Sequence, residues 1–303
     1  MPEEFERETE RFQTAVKLLE APAQSRQELI EEYQRRSEIA FAASTRRNYR
    51  QIIANFKSWC QEHGHDSKPP VAPRIVAEYV EYQGGKIRPN TIETRLWAIS
   101  EYHNANFCAS PTRHRLVELA LKGVKRTYGA STNQVPPLCK REVLDAIEKL
   151  GQSRLETRDK ATLWIASDSW CRASEIVAFK VKDVNMQEDG SSLLFIERSK
   201  TDQFGERAYA YLSPAGTRAV FEWIKMAELK LNDPILTKSQ KGGKRTPLDP
   251  ATISRIFQRC TGRKDVSAHS TRVGAVHDAF RLGCDLSSIM VAGRWRSPEM
   301  PAR

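Results

Sequence analysis

The 303-residue sequence contains no hydrophobic run long enough to cross a membrane, which takes about 20 successive apolar residues. Its six cysteines are scattered without a C-x-x-C pair, which argues against a disulfide framework. The acidic N-terminus is the opposite of a basic signal peptide. These absences predict a chain with reduced thiols that works in the cytoplasm, away from membranes.

Missing motifs narrow the chemistry further. The sequence has no G-x-x-x-x-G-K-[ST] loop and no evident D-x-D cluster, so a P-loop ATPase is excluded and a metal-assisted nuclease is disfavoured. Cys60, His63 and His65 lie close enough to suggest a metal site. Because no second ligand pair follows at suitable spacing, a helix end running into a polar loop is the preferred interpretation. We therefore expect no metal and no cofactor.

Charge is unevenly distributed along the chain. Lysine and arginine total 48 against 38 acidic residues, giving a net charge of +10. Residues 1–32 hold nine acids and four bases, so this segment is −5 and the remaining 271 residues carry +15. The basic charge of residues 33–303 favours a polyanionic partner, although an ordinary basic soluble protein explains the charge equally well.

Residues 44–128 follow a helical pattern that predicts a compact bundle of four short helices. Ser44 is expected to cap the first helix, and Pro73, Pro89 and Pro111 to open the other three. The side chains expected to face the core are Tyr49, Ile52, Ile53, Phe56, Trp59, Cys60, Ile75, Val76, Tyr79, Val80, Ile92, Leu96, Ile99, Leu116, Leu119 and Ala120.

A polar, proline-ended linker at 129–137 separates this bundle from a second half of different character. The predicted helices there are 140–150, 157–170, 214–231, 250–260 and 268–282. The predicted strands, joined by a polar turn, are 192–198 and 207–212. The fold class is therefore a two-domain protein: an all-α bundle at 26–128 and a mostly helical α+β domain at 138–303 with a small antiparallel sheet. An acidic leader, 1–25, is expected to be disordered.

Five residues of the second half form a chemically suggestive set: Arg172, Lys200, His269, Arg272 and Trp295. Taken singly they have ordinary explanations: Arg172 could bridge to Glu175, and Lys200 could be a charge on an edge strand. His269 could be a helix-end residue, and Trp295 could be a core aromatic. His269 and Arg272, three residues apart, are expected on one face of a helix. Together they supply what phosphoryl transfer without metal requires. Arginines hold the phosphate oxygens, histidine moves a proton near neutral pH, and lysine protonates a leaving alkoxide.

The order Arg172, Lys200, His269-x-x-Arg272, Trp295 resembles the tyrosine recombinase (phage integrase) family, most closely its Cre-like members. The phrase His-Ser-Thr-Arg-Val-Gly-Ala and the tryptophan carry the resemblance over about 160–303. It is weaker over 44–128, which looks like the family's SAM-like core-binding domain. The resemblance implies a site-specific DNA recombinase that clamps duplex DNA and forms a 3′-phosphotyrosyl intermediate.

The resemblance also implies individual roles. Arg172 and Arg272 would clamp the scissile phosphate, His269 would assist proton transfer, and Lys200 would be the general acid. Trp295 would donate its indole N–H to a phosphate oxygen. Glu175 would orient its neighbours from behind the site.

One element of the family pattern is not found in these 303 residues. The family's tyrosine lies nine residues after the tryptophan position, one place beyond Arg303. All tyrosines precede His269, namely Tyr33, Tyr49, Tyr79, Tyr82, Tyr102, Tyr128, Tyr209 and Tyr211, and the last two are best explained as strand residues. Ser297-Pro298-Glu299 also starts a helix that stops within two turns. We therefore expect a C-terminally incomplete catalytic domain that binds DNA without cleaving it.

Several basic residues are candidates for DNA contacts, although plain solvated faces explain them at least as well. They are Arg46, Arg47, Arg50, Lys86, Arg95, Lys122, Lys125, Arg126, Arg255 and Arg259. The expected partner is double-stranded DNA with a specific, inverted-repeat site, on which the complete protein would form dimers and tetramers. In a bacterium this places the protein at the nucleoid.

Two other functions stay open. One is a DNA-binding or regulatory protein on the same scaffold, and the other is a type IB topoisomerase-like nicking enzyme. The intact Arg-Lys-His-Arg-Trp set argues against a pure binder, which needs no proton-transfer groups. The separate helical bundle argues against the topoisomerase, because relaxation needs no specific site.

Overall fold

A computed structural model describes residues 23–129, 134–197, 208–238, 245–299 and 301 of the chain. The chain divides into two compact units, 1–132 and 133–303, called here the first and the second unit. None of the described helices is both long and apolar enough to cross a membrane.

The described part of the first unit is entirely helical. Its α-helices are α1 (Ala23–Ala40), α2 (Ala43–Glu62), α3 (Pro73–Gln83), α4 (Pro89–Asn104) and α5 (Arg115–Tyr128), with a 3₁₀ turn at Pro111–Arg113. Proline occupies the first position of α3 and α4, as predicted, since its fixed φ suits that position and its missing N–H needs no partner there.

Helix α1 was not predicted, and it begins at Ala23, inside the segment expected to be disordered; the rest of that leader lies outside the described residues. Contacts distant in sequence stabilise it. Arg26 donates to the carbonyl of Asn106 at 3.0 Å, and the ring of Tyr33 packs edge-on against Phe107 at 6.4 Å. The sequence of α1 has a weak apolar stripe, so the 3.6-residue pattern gave little indication of it.

The predicted core of the bundle is largely correct, but α5 turns a different face inward. Leu116 and Leu119 are 48% and 46% exposed, whereas Val117, Ala120 and Val124 are buried. Pro111 opens only the 3₁₀ turn, and the α-helix restarts at Arg115. Helix α5 packs against α3 with the face that carries Val117, Ala120 and Val124, which leaves the two leucines outside.

The cap expected at Ser44 is also displaced. Helix α2 begins one residue earlier, at Ala43, with Ala42 in the cap position and no side-chain cap. Further along α2, Cys60 is buried in the core. His63 stacks on Trp59 at 4.6 Å, so the cysteine and this histidine engage different partners. The described residues hold no cluster of three metal-ligating side chains.

The second unit combines helices with a small sheet. Its helices are α6 (Lys140–Glu148), α7 (Arg154–Ser169), α8 (Ala173–Ala178), α9 (Pro214–Ala227), α10 (Pro250–Thr261), α11 (Ser270–Arg281) and α12 (Leu286–Gly293), with a 3₁₀ turn at Val181–Asp183. Its strands, in the order β1-β2-β3, are β1 (Val184–Met186), β2 (Ser192–Ile196) and β3 (Ala208–Leu212).

Both strand pairs are antiparallel, with Leu194 of β2 opposite Val184 on one side and Ala210 on the other. The predicted fold class, a helical bundle followed by a mostly helical domain with a small antiparallel sheet, is confirmed. The short β1 and α12 were not predicted. Helix α7 begins three residues earlier than expected because Ser153 and Glu156 form a reciprocal capping box.

The start of the second unit is fastened to α11. The amide of Leu138 donates to the carbonyl of Ser270 at 2.9 Å, and the amide of Lys140 donates to Asp278 at 2.7 Å. The two backbone segments approach so closely that a Cβ on Gly274 would lie 2.1 Å from the Leu138 carbonyl oxygen. Only glycine allows this approach, and the contact fixes the helix that carries Arg272.

All six cysteines are free thiols in the structure. Cys284, three residues after the end of α11, is exposed. The other five are buried or half-buried.

Candidate active site

Arg172 and Glu175 meet at the beginning of α8. Arg172 is the N-cap residue, and its backbone N–H donates to Glu175 Oε2 at 2.9 Å. Its side-chain Nη1 donates to Glu175 Oε1, also at 2.9 Å. The carboxylate is 2% exposed and the arginine side chain 20%. The local bridge considered from the sequence therefore exists, and it leaves one part of the guanidinium open to solvent.

Arg272 is held differently, by neutral carbonyls. Nη2 donates to the carbonyl of Gly293 at 2.7 Å, and Nη1 donates to the carbonyl of Trp170. Trp170 ends α7 in the left-handed conformation, with φ of 52°, which turns its carbonyl away from the helix axis. The residue is 1% exposed, and its Nε has no hydrogen-bond partner among the described residues.

This arrangement leaves a buried positive charge uncompensated, since the described residues place no carboxylate within ion-pair distance of Arg272. Burial, and after it the neighbouring positive charges of Arg172 and Arg294, together lower the pKa of Arg272 to about 10. Burying a charge without an opposite charge is costly. The site is thus prepared to receive an anion.

Trp295 covers Arg272 on one side. The guanidinium carbon lies 4.3 Å from the centre of the indole ring, which is within the range of a cation–π contact. The ring also packs over the end of α12, where a Cβ on Gly293 would lie 1.7 Å from the ring carbon Cζ3. Glycine at this position is therefore required for the stack.

His269 lies at the N-cap of α11 and is exposed, while Arg272 three residues later is buried. The two were expected on one face of the helix, but the helix begins only at Ser270. Partial burial of the imidazole lowers the pKa of His269, as do the positive charges of Arg272 and Arg172. This lowering favours the neutral imidazole, which is the form that accepts a proton.

Arg294 belongs to the same cluster but was not identified from the sequence. Its Nη2 lies 3.3 Å from Glu175 Oε2 and its Nη1 donates to the carbonyl of Ser169 at 3.3 Å. Burial alone would raise the pKa of Glu175, but hydrogen bonds from Arg172 and the charge of Arg294 lower it overall. One carboxylate thus joins two arginines beside a third.

The remaining member of the predicted catalytic set is Lys200. Lys200 lies outside the described residues, in the connection between β2 and β3. Tyr209 and Tyr211 lie in β3 and are 54% and 51% exposed. At the other end of the site, Ser297 Oγ accepts the Glu299 amide at 3.3 Å, and the chain there forms a turn.

The basic residues proposed for DNA contacts divide into two groups, one of which is held by protein partners. Arg95 donates to Gln83 at 2.7 Å, Lys86 lies over the ring of Tyr82 at 3.2 Å, Lys125 pairs with Glu93 and Arg259 pairs with the buried Asp159. Arg46 is half-buried. Lys86 and Arg259 are nevertheless exposed, and the exposed members that no described side chain holds are Arg47, Arg50, Lys122, Arg126 and Arg255.

A model of the phage integrase family matches residues 138–303, more than half of the chain. An integrase/recombinase xerD homolog from Selenomonas ruminantium is 26% identical over 287 residues, covering 89% of this chain and 83% of the relative. Recombinase cre of Escherichia phage P1 is 26% identical over 286 residues, with coverage of 86% and 83%. A structure of the Tn1549 transposon integrase in complex with circular intermediate DNA has a TM-score of 0.64 at 11% identity, over 90% of this chain and 93% of that one; this similarity concerns the fold.

Proposed function

Because the chain belongs to the phage integrase family, we propose that it is a site-specific recombinase that binds duplex DNA and, with its nucleophile, cleaves and rejoins DNA strands. The observation that carries this proposal is Arg272, a buried guanidinium held by two carbonyls beside a second arginine. A phosphodiester would supply the missing negative charge, and its oxygens would receive bidentate hydrogen bonds.

The proposed reaction is an in-line transfer. A tyrosine oxygen attacks the scissile phosphorus and gives its proton to His269, while the bond from phosphorus to the 5′-oxygen breaks. Lys200 gives a proton to that leaving oxygen, and a 3′-phosphotyrosyl bond remains. Arg172 and Arg272 hold the non-bridging oxygens, where charge gathers in the transition state, and Trp295 donates its indole N–H to one of them. Since the bond energy is conserved in the phosphotyrosyl link, rejoining needs no ATP.

On this proposal the nucleophile is a tyrosine C-terminal to Trp295. The eight tyrosines of the sequence all precede His269, and Tyr209 and Tyr211 are strand residues. Residues 1–303 should therefore bind DNA without cleaving it.

A pure DNA-binding protein on the same scaffold is the main alternative. Phosphate contacts that only anchor a protein are made by exposed side chains, for which the free-energy cost of desolvation is small. A 1%-exposed arginine without a carboxylate would be an unfavourable way to achieve such anchoring. The same argument does not separate a recombinase from a type IB topoisomerase-like enzyme. The two differ in their substrates: a recombinase needs a specific DNA site, and the relaxing enzyme does not.

Both units are proposed to contact the same duplex, as a clamp. The exposed Arg47, Arg50, Lys122, Arg126 and Arg255 are better candidates for phosphate contacts than the candidates already held by a partner. Affinity should then fall steeply with salt, because each phosphate contact releases counterions. We also propose an inverted-repeat target on which the complete protein forms dimers and tetramers.

The test compares residues 1–303 with the same chain extended by its native continuation. Each is incubated with DNA carrying the native locus, and an SDS-resistant protein–DNA band is sought. A band from the extended chain alone supports the recombinase. Specific DNA binding by both chains without any band would instead favour the binding protein, and relaxation of any supercoiled plasmid would favour the topoisomerase.

The site assignment is tested by Arg172→Ala in the extended chain. We expect cleavage to fall on the order of 100-fold or more, with the DNA dissociation constant changed by less than about threefold because many phosphate contacts remain. Arg218→Ala, which removes an exposed positive charge from α9, is the matched control. Undiminished cleavage by Arg172→Ala would show that the phosphate lies elsewhere.

A further inference from the structure

Arg294 has an unusual backbone for its residue type. It ends α12 in the left-handed conformation, with φ of 55° and ψ of 46°. Glycine is the residue that adopts this conformation without steric penalty, and it is the common choice at such helix ends. A backbone criterion alone would favour glycine here, and the contacts of the arginine side chain are what glycine would remove.

The guanidinium of Arg294 is turned into the protein. Its side chain is 15% exposed, and its Nε is buried without a hydrogen-bond partner among the described residues. Nη1 donates to the Ser169 carbonyl at 3.3 Å, and Nη2 lies 3.2 Å from Cys171 Sγ and 3.3 Å from Glu175 Oε2. These contacts join the end of α12 to the segment between α7 and α8, which carries Arg172.

Glu175 is the shared partner in this arrangement. Its Oε1 accepts from the side chain of Arg172, while its Oε2 accepts from the backbone of Arg172 and from Arg294. Without Arg294, the negative charge of Glu175 would neutralise the positive charge of Arg172 alone. Arg172 would then attract a phosphate more weakly. With Arg294 present, the three arginines and one carboxylate keep a net charge of +2, and both oxygens of the carboxylate are fixed.

We propose that Arg294 is a positioning residue for the anion pocket: it holds Glu175, and through it the guanidinium of Arg172, and it preserves the positive charge of the pocket. This inference rests on the proposed function for its phosphate ligand. In this role Arg294 acts through the protein, by its contacts with Ser169, Cys171 and Glu175, and not by contact with DNA. Its contribution is therefore to the rate of the chemical step and to binding of a small oxyanion, and not to the affinity for duplex DNA.

The test is Arg294→Gly, which suits the backbone and removes only the side chain. In the extended chain we expect single-turnover cleavage at saturating DNA to fall on the order of 100-fold, the effect of a small misplacement of a catalytic group. The DNA dissociation constant should change by less than about threefold. Arg294→Lys, which keeps the charge but loses the planar fork, should recover part of the rate.

Glu228→Gly is the matched control. Glu228 ends α9 in the same left-handed conformation, with φ of 54°, so glycine relieves the same backbone penalty away from the pocket. Its cleavage rate should equal that of the wild type, and both glycine variants should remain folded in thermal unfolding. If Arg294→Gly nevertheless fails to fold, Arg294→Gln decides, since it keeps a long side chain but removes the charge: a wild-type rate would then overturn the proposal.

A second measurement separates this inference from the proposed function. Binding of inorganic vanadate to residues 1–303 is followed by tryptophan fluorescence, with Trp295→Phe identifying the signal of the indole beside Arg272. Arg294→Gly should weaken vanadate binding about tenfold, because a nearby positive charge is lost and Glu175 is then free to neutralise Arg172. Weakened vanadate binding in Arg294→Gly, together with no cleavage by the extended wild-type chain, would refute the recombinase and retain the role of Arg294. Wild-type cleavage and wild-type vanadate binding in Arg294→Gly would refute the role of Arg294 and retain the recombinase.

Discussion

Replacing Glu175 with glutamine tests the charge balance of the pocket most directly. The substitution preserves the size of the side chain and one oxygen acceptor, but it removes the negative charge that faces Arg172 and Arg294. Removing one partner of a buried ion pair costs about 3–5 kcal/mol, because the other charge stays buried and unpaired. Arg172 keeps 20% of its side chain exposed, so we expect the lower end, about 3 kcal/mol.

This loss is measurable by calorimetry of the full chain at neutral pH. The second unit comprises residues 133–303, and for a domain of that size 1 kcal/mol shifts Tm by about 2–4 °C. Its transition should therefore move down by about 6–12 °C, while that of the first unit stays in place. Glu222→Gln, at an exposed position of α9, is the matched control and should leave both transitions unchanged.

The pH dependence supplies a second check. Because the pKa of Glu175 is lowered from its ordinary value of 4.5, its ionised form stabilises the folded state above that value. This stabilisation is lost as the pH falls through the lower pKa of the folded state. The difference between the wild type and Glu175→Gln should be constant near neutrality and should shrink in acid. Equal stability at neutral pH, or a difference that grows in acid, would refute the argument.

Two further predictions concern α11 and its N-cap, and a third concerns α5 as a control helix. Gly274→Ala should destabilise the second unit by about 1–3 kcal/mol or more, because the new methyl group would overlap the Leu138 carbonyl; unchanged calorimetric stability would contradict the contact. Gly123→Ala in α5, where a Cβ meets nothing within 4 Å, should instead stabilise the first unit by about 0.4–1 kcal/mol. The lowered pKa of His269 predicts that cleavage by the extended chain stays constant from about pH 8 down to about pH 6.5 and falls only below it, as the imidazole becomes protonated. A rate that already declines above pH 6.5 would argue against His269 as the proton acceptor.

The parts of the fold that follow from local chemistry were predictable from the sequence. Pro73 and Pro89 open helices where expected, because the proline ring fixes the first helical φ. The strands β2 and β3 agree with the predicted pair to within about two residues over the described range. Helix α1 could not be predicted in this way, since contacts about 80 residues away hold it.

The phase of α5 shows a second reason for failure. Its apolar residues fit two neighbouring faces of a helix, and the sequence pattern alone does not choose between them. Packing against α3 buries the face of Val117, Ala120 and Val124. Leu116 and Leu119 consequently face outward.

For the candidate site, the sequence supplied the residue types and their order but not the connections between them. Arg272 depends on the carbonyl of Trp170, 102 residues earlier, and on the left-handed turn that exposes it. Arg294 gave one indication that could have been used, since it directly precedes Trp295 at the end of α12. Only the three-dimensional structure places its guanidinium on Glu175.

The distribution of the cysteines has a practical consequence for experiments on this protein. Burial raises the pKa of three thiols to about 11, those of Cys60, Cys171 and Cys260, and the thiolate is the form that reacts with alkylating reagents. Cys284 is the exposed thiol, just beyond the helix whose first turn carries Arg272. A maleimide dye will therefore attach there first, without removal of the other cysteines. The natural sequence thus offers a single-site spectroscopic probe beside the helix on which the proposed chemistry depends.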